Sequence, residues 1–170
     1  MQLKTILSRV QRFKSFVYGA VLWVQSEPVP ALEVEVHPRS NSRGVCSGCG
    51  RCGSGYDRQP ARRFEFVPLW GMKVFLVYAP RRISCSRCGV KVERMPWAMG
   101  KSPLTEAFAW FLAGWAKRLS WKEVAEAFHT RWDTVFSAVE MAVSWGREHL
   151  DLTGIQFIGV DEIAWQKGHR

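Results

Sequence analysis

The chain has 170 residues, with 24 Lys and Arg against 15 Asp and Glu and a formal net charge of +9 at pH 7. With 47% hydrophobic and 23% charged residues, its composition is that of one or two globular domains, which excludes a mainly disordered or collagen-like chain. The charge is concentrated: residues 1–100 hold 16 basic and 6 acidic side chains, residues 101–150 hold 6 of each, and residues 151–170 hold 2 and 3.

A pI near 9.7 points to a polyanionic partner, most simply nucleic acid. The longest nearly apolar run, Phe16 to Val24, is nine residues, against the roughly twenty that a membrane-spanning helix needs. Arg9, Arg12 and Lys14 precede this run as they would in a signal peptide, but no small-residue cleavage pattern follows before Glu27 and Pro28. The expectation is a cytoplasmic protein with no membrane partner. Thiols stay reduced in that compartment, so clustered cysteines point to metal before disulfides.

In chain order, residues 14–25 and 31–37 read as strands: Phe16, Tyr18, Ala20 and Leu22 alternate in the first, and Leu32, Val34 and Val36 alternate with Glu33 and Glu35 in the second. Glu27-Pro28-Val29-Pro30 supplies the turn between them. A Gly, Ser and Arg rich stretch from Arg39 to Arg63 follows. Arg63 to Pro68 and Met72 to Tyr78 then read as a hairpin around Leu69-Trp70-Gly71.

Cys46-Ser47-Gly48-Cys49-Gly50 and Cys85-Ser86-Arg87-Cys88-Gly89 repeat one pattern, with 35 residues between Cys49 and Cys85. Two thiolates two residues apart present one face to a metal from a tight turn, and the following Gly lets backbone amides approach the sulfurs. Two such turns complete a tetrahedral site of the structural zinc type, with Cys46, Cys49, Cys85 and Cys88 as ligands. The spacer holds the predicted hairpin, as a zinc ribbon requires. The competing reading, thiol exchange by a Cys-x-x-Cys pair, lacks a helix beginning at either pair and has no need of two. Cys52 lacks a matching partner and reads as a spare thiol that competes for the fourth position.

Over residues 39–94, twelve basic residues stand against Asp57, Glu65 and Glu93. Such a run is often only a solvated face, but its surplus also suits phosphate binding, for which Arg62, Arg63, Arg81 and Arg82 are the named candidates.

From Ser102 the period changes to about 3.6: Leu104, Ala107, Phe108, Phe111, Leu112, Trp115 and Leu119 share a stripe, with Ser102 as the expected cap and Pro103 in the first turn. Ser120 with Glu123 three residues later forms a capping box for a second, shorter helix, and a third begins near Asp133 with Val135, Val139, Ala142 and Val143 on one stripe. The two helices have the proportions of a helix-turn-helix, which would put Arg131 and Thr134 at the exposed start of a DNA-reading helix. A plain helical bundle is the alternative, favoured by the zero net charge. Trp110, Trp115, Trp121, Phe128 and Trp132 read as core. After Gly154, the run Ile155, Phe157, Ile158 and Val160 looks like a buried strand ending at Asp161.

The four-cysteine pattern, the paired helices and the strand ending Ile158-Gly159-Val160-Asp161-Glu162, followed by Ala164 and Lys167-Gly168-His169, together resemble the N-terminal part of bacterial insertion-sequence transposases of the ISL type, the IS-L-three group. The resemblance implies an α+β chain: a β-rich zinc ribbon over 1–100, a helix-turn-helix over 101–150, and at 151–170 the first strand of a truncated RNase H-like catalytic domain. It also implies that Asp161 is the first of three catalytic carboxylates. DNA strand transfer of this kind uses two Mg²⁺ ions held by several converging oxygens, and no carboxylate follows Glu162 in this chain. The expected function is therefore binding of double-stranded DNA at transposon ends, with structural zinc, Mg²⁺ only for a complete catalytic domain, and no strand cutting or joining by this chain alone; self-association remains open. A stand-alone zinc-dependent regulator that competes with an intact transposase, and a zinc-stabilised interaction module without a DNA role, are the alternatives.

Overall fold

The computed structural model describes residues 3–154 together with 157 and 159. The expected last strand and Asp161 lie outside the described residues. Element order is α1 (Leu3–Val10), β1 (Phe16–Val24), β2 (Ala31–Pro38), β3 (Gly44–Val45), β4 (Cys52–Arg58), β5 (Arg62–Leu69), β6 (Met72–Tyr78), β7 (Arg81–Cys85), β8 (Gly89–Val92), α2 (Glu106–Trp115), α3 (Trp121–Ala127) and α4 (Trp132–Glu148). The chain is thus mixed α+β, with four helices and two four-stranded sheets among the described residues.

The first sheet has the order β1-β2-β6-β5. β1–β2 and β5–β6 are antiparallel hairpins, and the parallel pair β2–β6 joins them, with Val34 opposite Leu76. Alternation in these strands places Leu32, Val34, Val36, Phe64, Phe66, Val74, Leu76 and Tyr78 in one core with Leu7 of α1. Burial of a side chain of this size stabilises by about 1.5–3 kcal/mol. Trp97, only 2% exposed, sits at the centre of an aromatic cluster, with ring centroids 4.8 Å from Phe16, 5.0 Å from Phe13, 5.3 Å from Tyr78 and 6.2 Å from Phe64.

The second sheet has the order β3-β4-β7-β8. The Arg63–Tyr78 hairpin, expected from the sequence to lie within the metal-binding unit, instead belongs to the first sheet, because its Phe64, Phe66, Val74 and Leu76 need that core. The second sheet is closed by β4 and β7, which flank the hairpin in sequence and pair with each other from Ser54–Ser84 to Arg58–Arg81.

Leu104 and Thr105 add a short ladder to β5: Glu65 N–H donates to Pro103 O at 2.7 Å and Thr105 N–H donates to Glu65 O at 2.9 Å. Thr105, not Ser102, caps α2. Its Oγ1 donates to Glu65 O at 2.9 Å and accepts from Phe108 N at 3.3 Å, whereas Ser102 Oγ accepts only from Leu104 N. The ladder with β5 keeps 103–105 extended and delays the helix by one turn. Phe108, Ala109, Leu112, Val124, Ala125, Val135 and Ala138 form the helical core, and Val67 of β5 packs on both cores.

The capping box at Ser120 and Glu123 is complete on both sides. Thr105→Val keeps shape but removes the cap and the bond to Glu65; it should cost about 2 kcal/mol, against about 1 for Ser120→Ala. Urea unfolding of both variants checks this ranking, and equal midpoints would contradict the dual role of Thr105.

The expected aromatic core is only partly formed. Phe128 packs against the helical core, but Trp110, Trp115 and Trp121 are each roughly two-fifths exposed and Trp132 is 60% exposed. Trp115 packs against Phe111 and Phe128 and Trp110 against Trp145, at the margin of the one stripe that each helix buries. No described helix is long and apolar enough to cross a membrane.

Candidate metal centre and basic surface

The second sheet has almost no apolar core of its own: its buried cluster is Cys46, Ile83 and Cys85, with Cys49 and Cys88 packed beside them. Four sulfurs gather where a hydrophobic core would otherwise be. The Sγ atoms of Cys46, Cys49, Cys85 and Cys88 all lie within 4.8 Å of one another, and those of Cys49 and Cys85 are 3.5 Å apart. In a tetrahedral zinc site with bonds near 2.3 Å the sulfurs stand about 3.8 Å apart. The donor set and spacing therefore fit a structural metal of the zinc type. Cys52, exposed at the start of β4, is not part of the cluster.

Both pairs are built the same way. Cys46–Cys49 form the turn between β3 and β4, closed by Gly50 N–H donating to Cys46 O at 2.9 Å, and Cys85–Cys88 form the turn between β7 and β8. Gly50 and Gly89 have φ of +74° and +70°, the left-handed region that each turn requires after its second cysteine. Backbone N–H groups of Arg87 and Cys88 donate to the Cys85 sulfur and hold its pKa down to about 6, with a smaller contribution from the Cys49 thiol. The Cys88 thiol is pushed up to about 12 by its hydrogen bond with Cys49 and then by burial. Four thiols this close cannot all ionise without a cation among them, and a bound divalent metal deprotonates its thiols outright.

A Cβ on Gly89 would meet nothing within 4 Å, so Gly89→Ala isolates the backbone strain, about 1–2 kcal/mol in the left-handed region. Metal affinity in a chelator competition should fall about tenfold, with Gly89→Asn milder; unchanged affinity would contradict the turn's requirement for a left-handed residue.

The arginines named from the sequence have different surroundings. Arg81 serves the fold: its Nε and Nη2 bond Glu93 at 3.0 and 2.7 Å, Nη1 donates to Ser42 O at 3.1 Å, and the pair's side chains are 15% and 1% exposed. Tyr78 OH donates to the same carboxylate. Arg63 pairs with Glu33 at 2.9 Å and lies over the Phe75 ring, while Arg82 pairs with Asp57 through both carboxylate oxygens. The Arg82 guanidinium holds the Asp57 carboxyl below its usual range. Arg62 donates to Lys101 O at 3.1 Å and stacks over Phe64.

The more accessible cations belong to the same basic run but are not the ones singled out from the sequence: Arg43, Arg51, Arg58, Arg87, Lys91 and Arg94 are exposed and have no ion pair among the described residues. Arg51 and Arg87 belong to the cysteine turns and Arg94 reaches over the first, whereas Arg58 stands at the far end of β4 opposite Arg81; the signal that could have found them is their lack of a carboxylate partner, which only the fold reveals.

Four residues, 128–131, separate α3 from α4, with His129 at φ +50° in the turn. Arg131 is 82% exposed in its side chain and 3.3 Å from Asp133, while Thr134 is half-buried and its backbone N–H is taken by Asp133 Oδ1. Trp121, Trp132 and Phe136 form an exposed aromatic group beside them.

Comparison with known proteins adds relatives. Over 137 residues, 79% of this chain and 31% of the relative, the sequence is 33% identical to the transposase for insertion sequence element IS1557 of Mycobacterium tuberculosis, from each of two strains. Over 157 residues, 90% of this chain and 38% of the relative, it is 27% identical to the transposase for insertion sequence element IS1001 of Bordetella parapertussis. The chain spans about a third of the length of the curated relatives it matches. No family model and no solved structure matches it.

Proposed function

We propose that this relative of insertion-sequence transposases binds the DNA ends of its element through a zinc ribbon and a helix-turn-helix. The second sheet is the ribbon, and Cys46, Cys49, Cys85 and Cys88 hold one structural zinc. The observation that carries the reading is the set of six exposed cations, without an ion pair among the described residues, on the cysteine-bearing sheet and the segments flanking its strands, in a chain similar to transposases.

Arg43, Arg51, Arg58, Arg87, Lys91 and Arg94 contact phosphates. Arg63 and Arg82 join them, because their ion pairs are open to solvent and can exchange a carboxylate for a phosphate. Arg81 does not. Arg131 and Thr134, at the start of α4, meet base edges and give sequence preference. The IS-L-three resemblance makes Asp161 the first carboxylate of a catalytic site whose Mg²⁺ ions need further acidic ligands.

The test is duplex binding by the zinc-loaded chain, using the terminal sequences of its own element and a scrambled duplex. Each phosphate contact contributes about −0.9 to the slope of log K against log salt. Reversing Arg58 and Lys91 should weaken both duplexes alike and flatten that slope, whereas Arg131→Ala should narrow the preference for the terminal sequence. Affinity insensitive to salt would sink the reading. A second reading, in which the helices bind protein rather than DNA, is favoured by their zero net charge and by the exposed Trp121, Trp132 and Phe136; it requires that Arg131→Ala leave sequence preference unchanged.

A further inference from the structure

Between the first cysteine turn and the start of α2 lies an open cleft of about 860 Å³. Its charged lining is Arg62, Arg94 and Lys101 against Glu106, with Glu93 already neutralised by Arg81. We infer that this cleft receives one sugar–phosphate backbone of a bound duplex. The inference rests on the DNA-binding reading above and assigns a place where the ribbon and the helical unit hold the same strand.

The lining decides the class of ligand. Small-molecule sites are lined by hydrophobic and aromatic side chains; Val92, Met95, Pro96 and Ala98 line part of this cleft, but it has no aromatic ring on which a base or nucleoside could stack. It offers three cations, with the neutral side chains of Gln59 and Ser47 as hydrogen-bonding groups. Such a set recognises phosphate and sugar oxygens and carries no sequence information.

The cations come from separate parts of the fold. Arg62 stands on β5, where its bond to Lys101 O at 3.1 Å and the Phe64 ring 4.8 Å beneath it fix the guanidinium. Arg94 follows β8 and reaches back over the first cysteine turn, its Nη2 3.9 Å from the Cβ position of Gly50. Lys101 is exposed on the segment that leads into α2. A planar fork already held in place loses little freedom when it meets a phosphate. Glu106 is the opposing charge, so an anion in the cleft makes a specific demand: removing that carboxylate must strengthen binding.

The experiment uses the full zinc-loaded chain and a fluorescent duplex of arbitrary sequence. Lys101→Gln and Arg94→Gln should each lower affinity about three- to tenfold and reduce the salt slope by about 0.9, while Glu106→Gln should raise affinity about twofold. Lys101 and Glu106 are exposed, so their variants should fold even if Arg62→Gln does not. A photo-crosslinker replacing Gln59 should capture the duplex, and capture should fall in the Lys101→Gln background. If the chain binds DNA but Gln59 captures none and Lys101→Gln, a residue of the cleft alone, keeps the wild-type slope, the cleft is overturned and the DNA-binding reading stands. If the unmodified chain binds no duplex, both fall.

Discussion

Replacing any one of Cys46, Cys49, Cys85 or Cys88 by Ser is expected to release the metal and unfold the second sheet, while Cys52→Ser leaves both intact. The reason is the make-up of that sheet. β4 reads Cys-Gly-Ser-Gly-Tyr-Asp-Arg with only Gly53 buried, and the sheet's cluster contains one aliphatic side chain, Ile83. Apolar burial there is far too small to offset the entropy of ordering its strands, about 1–2 kcal/mol per residue for backbone alone. Metal binding of structural zinc in small domains contributes about 10–16 kcal/mol. Hydrogen exchange should show loss of protection over 44–58 and 81–92 in Cys85→Ser, with protection kept in β1, β2, β5 and β6, whose core is separate. Metal stoichiometry of one in the parent and in Cys52→Ser, and none in Cys85→Ser, completes the result; full protection without metal would contradict it.

Arg81→Gln should be the most damaging arginine substitution, and its damage should be to stability. The Glu93 carboxylate accepts from the Arg81 guanidinium and backbone N–H and from Tyr78 OH, with 1% of the side chain exposed. Deleting one partner of a buried pair costs about 3–5 kcal/mol because the other charge is left without compensation. For a chain of this size that corresponds to a fall in Tm of about 10 °C. Replacing both partners, Arg81→Met with Glu93→Leu, should recover much of the loss. The salt slope of duplex binding should stay at the parent value in Arg81→Gln, where the sequence alone leads one to expect a flatter slope. A flattened slope with an unchanged Tm would return Arg81 to the DNA-contacting set.

What the sequence revealed and what it hid follow from the range of the interactions. The cysteine turns were legible because their cysteines, glycines and spacing are local. The capping box at Ser120 was legible for the same reason, and the Phe64–Leu76 hairpin because its alternation matches burial. Strands β4 and β7 were not, since their Gly, Ser and Arg carry no alternating pattern, nor was β8, whose four residues are too few to show one; their pairing is organised around the sulfurs.

The parallel pairing of β2 with β6 joins residues about forty apart, which no local pattern encodes. The Arg81–Glu93 pair is likewise formed by strand pairing, so a count of arginines could not separate it from the exposed Arg58 and Arg94. Ser102 was mistaken for the cap of α2 because the competing ladder between Thr105 and Glu65 is a tertiary contact. The aromatic residues of the helices satisfied a periodic pattern, yet each helix buries only one stripe and leaves the tryptophans at its margin.

The link between metal, fold and DNA is tested most directly by titrating a fluorescent duplex with the full chain from low to high salt, before and after chelation and again after Zn²⁺ is restored. The expected result is tight, strongly salt-dependent binding that is lost on chelation and regained with one equivalent of zinc. Binding that survives chelation at the same affinity and with the same salt slope would contradict a metal-built DNA-binding surface.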